Sequence, residues 1–152
     1  MSENYSERAE MCFACGKKNP IGLQIPFEID DEGQCIGLFS ANENHVGYDN
    51  TVHGGIIFTC LDDVMANTLY LKNIKAHTAK CEIRYRKPLE VGQEIKLIGQ
   101  IISKKRRLVI ISGQAITTED NKLIADCEAK FMLSWINTLI NRNYLNPWGC
   151  QL

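Results

Sequence analysis

The clearest periodic pattern in the chain lies between Gly54 and about Leu71, where apolar or small side chains recur every three or four positions. The positions that share this spacing are Ile57, Leu61, Val64, Thr68 and Leu71. Such spacing places the side chains on one stripe of an α-helix. The pattern therefore predicts a single long helix, roughly 27 Å in length, with this stripe in the core.

The remainder of the predicted structure is β-sheet, because apolar and polar residues alternate over short segments bounded by turn residues. In 78–86, for example, Cys81, Ile83 and Tyr85 alternate with charged residues. The predicted strands are 24–29, 35–39, 78–86, 94–103, 108–118 and 123–135. Their short connections indicate an antiparallel meander, and the polar segment 42–52 is expected to be a loop.

These elements predict an α+β fold in which one long helix is wrapped by a five- to six-stranded antiparallel sheet. We expect residues 1–10 to form a flexible leader and residues 11–136 a single domain. Residues 137–152 show no clear period and are treated as a C-terminal tail.

Composition narrows the class of protein. The formal net charge of the 152-residue chain is −1, which gives no indication of a nucleic-acid partner. No apolar run approaches the roughly 20 residues that span a bilayer, and the polar N-terminus is unlike a signal peptide. We therefore expect a cytoplasmic protein without a membrane partner. In that compartment the singly placed cysteines, Cys35, Cys60, Cys81 and Cys127, are expected to act as small apolar residues.

The candidate chemistry begins at the start of the helix, where His53 precedes Gly54 and Gly55. The first N–H groups of a helix have no partner within it, and glycine leaves them unshielded. They could hold an anion or a developing oxyanion. The alternative is that the two glycines only allow the chain to turn tightly against the sheet.

Two carboxylates follow about two turns into the helix. Asp62 has Phe58 and Met65 as its neighbours one turn away, whereas Asp63 lies near polar residues such as Asn67. A carboxylate beside an apolar face is costly unless it has a partner or a use. Asp62 is therefore the predicted functional acid, and Asp63 is predicted to be a solvated surface charge.

The segment Val52–Asp62, in which six residues separate the glycine pair from Asp62, resembles the helix signature of hot-dog-fold acyl-CoA thioesterases. The similarity is to the branch that includes the phenylacetate-pathway and human acyl-CoA thioesterases. Tyr85 and Pro88, in a Tyr-x-x-Pro motif, resemble a strand ending of the same family. The stretch Cys12–Leu23 resembles an N-terminal motif of some members, so the resemblance extends from about residue 12 to residue 133.

This resemblance implies hydrolysis of an acyl-CoA thioester. Asp62 matches the catalytic carboxylate, acting as nucleophile or as general base on water. Gly55 matches the backbone N–H that polarises the thioester carbonyl, and Thr78 a hydroxyl that orients the water. His53 matches a residue that supports the thioester end of the site. The same comparison implies a homo-oligomer, a dimer or a tetramer, with each site shared between subunits.

The chain departs from the family at Gly47, where several relatives have asparagine, and Asn50 is the candidate substitute. Gly54 is expected to contact the substrate beside it. Coenzyme A carries several phosphates, so cations should line its binding site. The candidates are Arg84, Arg86 and Lys87, with the turn 104–107 as a competitor that is otherwise a solvated connection.

Cys12 and Cys15 form an isolated C-x-x-C pair. Zinc in a structural site has four ligands, and the sequence offers neither a second such pair nor paired histidines. We therefore expect no metal and no cofactor. The second functional hypothesis is a non-catalytic hot-dog domain that binds acyl-CoA or another ligand, and Asp62 is the residue that favours hydrolysis over it.

Overall fold

The predicted helix is present as α1, Gly54–Tyr70, in the computed structural model of the protein, which describes residues 9–134. Four residues of the predicted stripe are buried, namely Ile57, Leu61, Val64 and Thr68. Leu71 is not, because it follows the last helical residue and is 40% exposed. Cys60, Met65 and Leu69 are buried as well, so the sheet covers a wider face of α1 than one stripe.

Residues 9–134 contain eight strands. They are β1 (Phe27–Ile29), β2 (Cys35–Ser40), β3 (Val46–Tyr48), β4 (Thr51–Val52), β5 (Ala76–Tyr85), β6 (Glu94–Lys105), β7 (Leu108–Thr117) and β8 (Leu123–Leu133). Six of them form one antiparallel sheet in the order β1-β2-β6-β7-β8-β5, and β3 and β4 form a small hairpin. A long helix against such a sheet is the hot-dog fold, as predicted.

Three local predictions were wrong. Segment 42–52 is not a loop, because a 3-10 turn, Glu43–His45, leads into the β3–β4 hairpin. The Asn42 side chain caps that turn by accepting a hydrogen bond from the N–H of Asn44 at 2.9 Å. Elements this short carry no readable period. The first strand begins only at Phe27, because Gln24 has a left-handed backbone with φ 52°. Strand β6 continues through Lys105, so the turn to β7 consists of the next two residues alone.

The meander prediction holds for β6, β7 and β8 but not for β5, which pairs with β8 instead of β6. The chain leaves β5 at one edge of the sheet and crosses to its middle to begin β6. Leu89, which is fully buried, anchors this crossing. Sequence alternation identifies strands but not their neighbours. As a result, β5 is an edge strand of ten residues beside α1.

The six cysteines among residues 9–134 are free thiols, and three of them, Cys35, Cys60 and Cys127, are buried in the core. In the same part of the chain, no helix is long and apolar enough to cross a membrane. Apart from Ala9 and Glu10, the predicted leader lies outside the described residues, as does the predicted tail.

Candidate active site

His53 is the N-cap residue of α1, and its side chain caps the first turn of the helix. The Nδ1 atom of His53 accepts a hydrogen bond from the N–H of Gly55 at 2.8 Å. A Cβ atom on residue 55 would lie 2.9 Å from that Nδ1, so glycine is what lets the imidazole approach. The sequence predicted that the Gly55 N–H is unpaired, but the structure shows that it has an acceptor within the chain. Because Nδ1 accepts this bond, the ring proton of a neutral His53 lies on Nε2.

Gly54 is covered by Tyr85, the last residue of β5. The Tyr85 hydroxyl donates to the Gly54 carbonyl at 2.8 Å, and a Cβ on Gly54 would lie 3.4 Å from the tyrosine ring. Burial raises the pKa of Tyr85, which keeps its hydroxyl protonated as a donor. The sequence identified this tyrosine only as part of a motif. The structure shows that it fastens the edge strand to the beginning of α1.

Asp62 and Thr78 lie together, although they are 16 residues apart in the chain. The Thr78 hydroxyl donates to Asp62 Oδ1 at 2.8 Å, and both side chains are partly buried. A bulge between Thr78 and Lys80 shifts the register of β5, so that Thr78 and Cys81 both face the core side of the sheet. Within residues 9–134 Thr78 is the side-chain partner of Asp62, and the second carboxylate oxygen is available for another contact.

The prediction for Asp63 was wrong, because this side chain is not a solvated charge. Cys12 Sγ donates to Asp63 Oδ1 at 3.7 Å, and Asn67 Nδ2 donates to Asp63 Oδ2 at 3.0 Å. Burial raises the pKa of Asp63, and the nearby charge of Asp62 adds to the effect. Helical spacing correctly placed polar residues around Asp63. It could not show that the N-terminal segment covers them.

A groove of about 380 Å³ opens beside the start of α1. It is lined by Tyr85 and Gly54 and by two of the predicted cations, Arg86 and Lys87. The guanidinium of Arg86 is also paired with Asp126, with Nε 2.6 Å from Oδ2. Sequence analysis missed that pair, since the two residues are 40 positions apart.

The other predicted binding residues lie away from this groove. Arg84 is exposed on β5 and does not line the groove. Asn50 lies exposed at the tip of the β3–β4 hairpin, where its carbonyl accepts from the N–H of Val91 at 3.0 Å. The turn 104–107 lies at the other end of the sheet, where Arg107 donates to the carbonyl of Leu133. Within one chain the structure therefore brings Arg86 and Lys87 to the groove.

A helix carrying a carboxylate, cradled by a six-stranded antiparallel sheet, defines a hot-dog protein with an acidic site. Residues 49–125 match the thioesterase superfamily, and the chain belongs to that superfamily. The matched segment contains His53, Gly55, Asp62 and Thr78.

Two solved structures have the same fold but share less than a fifth of their sequence with this chain. The PaaI protein of the phenylacetic acid degradation operon of E. coli superimposes with a TM-score of 0.72 at 18% identity, over 85% of this chain and 90% of that one. A hypothetical thioesterase from Streptococcus pneumoniae, solved with coenzyme A, gives 0.67 at 14% identity, over 72% and 85% of the two chains.

One curated relative is an uncharacterized mitochondrial membrane protein, FMP10, of Saccharomyces cerevisiae, 21% identical over 133 residues. The match covers 83% of this chain and spans only 54% of that relative's length.

Proposed function

We propose that the protein hydrolyses acyl-CoA thioesters, with Asp62 as its central acid. The observation that carries the proposal is the Asp62–Thr78 hydrogen bond of 2.8 Å on the edge of the sheet. The Thr78 hydroxyl donates to one carboxylate oxygen and holds that oxygen beside β5. The other oxygen is then free to act on water or on the thioester carbon.

Two routes fit this arrangement, and both consume one water and release one carboxylic acid and one coenzyme A thiol. As a general base, Asp62 takes a proton from water while the oxygen adds to the thioester carbon; the C–S bond then breaks and the thiolate is protonated. As a nucleophile, Asp62 bonds to the acyl carbon and expels the thiolate, and water cleaves the resulting anhydride.

The geometry of α1 supports a site shared between two subunits. Gly55 and Asp62 are seven residues apart on one helix, which corresponds to roughly 10 Å along its axis. A single thioester carbonyl cannot be in contact with both from the same chain. A second copy can supply the missing partner, and β5 offers it an uncovered edge strand directly beside Asp62.

The carbonyl oxygen would be polarised at the first turn of α1. For the Gly55 N–H to act there, its hydrogen bond to His53 Nδ1 must be replaced by one to the substrate oxygen. The exposed imidazole is free to turn aside. This assigns His53 the role of holding the donor in position until the substrate arrives.

The coenzyme would lie in the groove beside Gly54, with Lys87 and Arg86 near its phosphates. Among residues 9–134, Lys87 forms no ion pair, whereas part of the charge of Arg86 is already offset by Asp126. Lys87 is therefore the stronger candidate. The pneumococcal structure with coenzyme A shows that a protein of this fold binds the cofactor part of such a substrate.

The test is a hydrolysis screen over short, long and aryl acyl-CoAs, comparing the wild type with Asp62→Asn. We expect Asp62→Asn to reduce turnover by at least about a hundredfold, the scale for a positioned acid–base group, while coenzyme A still binds. Asp31→Asn, an exposed carboxylate in the β1–β2 turn, is the matched control and should retain activity. Wild-type binding without hydrolysis of any ester would instead support the non-catalytic binding domain.

A further inference from the structure

Three side chains of types that can bind metals lie together around Asp63, the residue that follows Asp62 on α1. The sulfur atoms of Cys12 and Cys15 and a carboxylate oxygen of Asp63 are all within 4.8 Å of one another. All three residues are partly buried. The cysteines precede the stretch that matches the thioesterase superfamily, and none of the three residues lines the groove beside Gly54 that is assigned to the coenzyme.

The local backbone directs both sulfurs to the same side. The N–H of Gly16 donates to the Cys12 carbonyl at 2.9 Å, and the N–H of Cys15 points to Cys12 Sγ at 3.5 Å. A Cβ on residue 16 would lie 2.5 Å from the Cys12 backbone, so only glycine permits this turn. The turn therefore places the Cys12 sulfur beside the backbone of Cys15.

Asn67 holds the other side of the cluster. Its amide nitrogen lies 3.0 Å from Asp63 Oδ2 and 3.8 Å from Cys15 Sγ, and the residue is 6% exposed. A buried donor that contacts two of the three groups fixes their orientation, as outer residues do around metal sites.

We propose that Cys12, Cys15 and Asp63 bind one zinc ion. Two thiolates and one carboxylate suit zinc, whereas magnesium and calcium prefer oxygen ligands alone. In a tetrahedral zinc site the ligand atoms are about 3.5–3.8 Å apart. The Cys12 sulfur and the Asp63 oxygen are separated by 3.7 Å, which falls within that range.

The fourth position would be filled by water. The cluster borders a cavity of about 260 Å³, which is otherwise lined mainly by apolar side chains such as Ala66 and Ile74. The sequence-based expectation of no metal counted only the two cysteines. The fold supplies the third ligand from 48 residues beyond Cys15 in the chain.

The competing explanation is that thiol-to-carboxylate hydrogen bonds alone hold this segment against α1. In that form Asp63 is a partly buried carboxylate whose hydrogen-bond partners within residues 9–134, Cys12, Cys15 and Asn67, carry no positive charge. Burial together with the charge of Asp63 raises the pKa of Cys15 well above its usual range. A divalent cation would compensate the three anionic groups and would link residues 9–25 to the helix that carries Asp62.

The first measurement is the zinc content of the full chain, purified under reducing conditions without chelator. If the purified protein contains less than one zinc per chain, zinc is added, unbound zinc is removed by desalting, and the bound zinc is measured again. We expect about one zinc per chain. Replacement by cobalt should produce a near-ultraviolet thiolate-to-cobalt charge-transfer band. Chelator should lower the melting temperature, because zinc stabilises only the folded chain.

Variants then locate the site. Cys12→Ser and Cys15→Ser should lose the zinc and the cobalt band, whereas Cys81→Ser, which removes a thiol outside the cluster, should keep both. Circular dichroism checks that each variant is folded. Less than about a tenth of an equivalent of zinc on the reduced wild type after this treatment would overturn the proposal, and this result needs no variant to fold. Equal zinc loss in Cys81→Ser would overturn the assignment of ligands. Neither readout depends on thioester hydrolysis.

Discussion

Replacing Thr78 by valine removes a single hydroxyl and tests whether this residue positions Asp62. Valine has nearly the same shape and a high preference for strands, so β5 should keep its structure. The lost interaction is a hydrogen bond of 2.8 Å from the Thr78 hydroxyl to a carboxylate. A hydrogen bond to a charged group contributes about 1.5–3 kcal/mol.

The two side chains are only partly buried, so solvent can replace some of this interaction, and the lower half of the range applies. About 1.4 kcal/mol corresponds to a tenfold change in rate, so kcat should fall roughly ten- to fortyfold. KM should change little, because Thr78 does not line the groove assigned to the coenzyme. Thr78→Ser keeps the hydroxyl and should restore most of the rate.

The assay is steady-state release of coenzyme A, measured by chromatography so that the cysteines of the protein do not interfere. The double variant Asp62→Asn with Thr78→Val should be hardly slower than Asp62→Asn alone, because a hydroxyl that acts through Asp62 has nothing left to position. If valine at position 78 retains the wild-type rate, or if serine is as slow as valine, the inference that Thr78 positions Asp62 is refuted.

Two further predictions concern binding and assembly. Lys87→Gln should raise KM more than it lowers kcat, and the effect should shrink at high salt. Its control is Lys80→Gln, which removes an exposed lysine from the preceding strand β5. Equal effects at both positions would remove Lys87 from the coenzyme site. Light scattering should give the mass of at least two chains. Co-expression of inactive Asp62→Asn and Gly55→Ala chains should restore about a quarter of wild-type activity. The reason is that half of the dimers are then mixed, and each mixed dimer has one of its two sites intact. Two inactive variants that stay inactive when mixed would place the whole site in one chain.

Much of the fold could be predicted because local periodicity determines it. The spacing of Ile57, Leu61 and Val64 is a property of the helix itself, and the alternation of Cys81 and Ile83 is a property of the strand. Both survive in the structure with boundaries shifted by one or two residues. The family resemblance indicated a hydroxyl at Thr78 that orients the water, but it did not predict the hydrogen bond from Thr78 to Asp62.

What the sequence could not determine was the set of contacts between distant segments. The pairing of β5 with β8 depends on which strand edges remain free after the sheet closes around α1, and alternation is the same for any partner. Likewise, the pairing of Arg86 with Asp126 follows from strand register.

The two adjacent carboxylates, Asp62 and Asp63, show most clearly what the sequence determines and what only the tertiary structure determines. Helical geometry alone separated Asp62 from Asp63 onto different faces, since successive residues differ by about 100° around the axis. Only the tertiary structure decided what each face meets, because Thr78 arrives from β5 and Cys12 from the N-terminal segment. The sequence thus identified two acids with different surroundings, and the packing of remote segments made one a candidate catalytic group and the other a candidate zinc ligand.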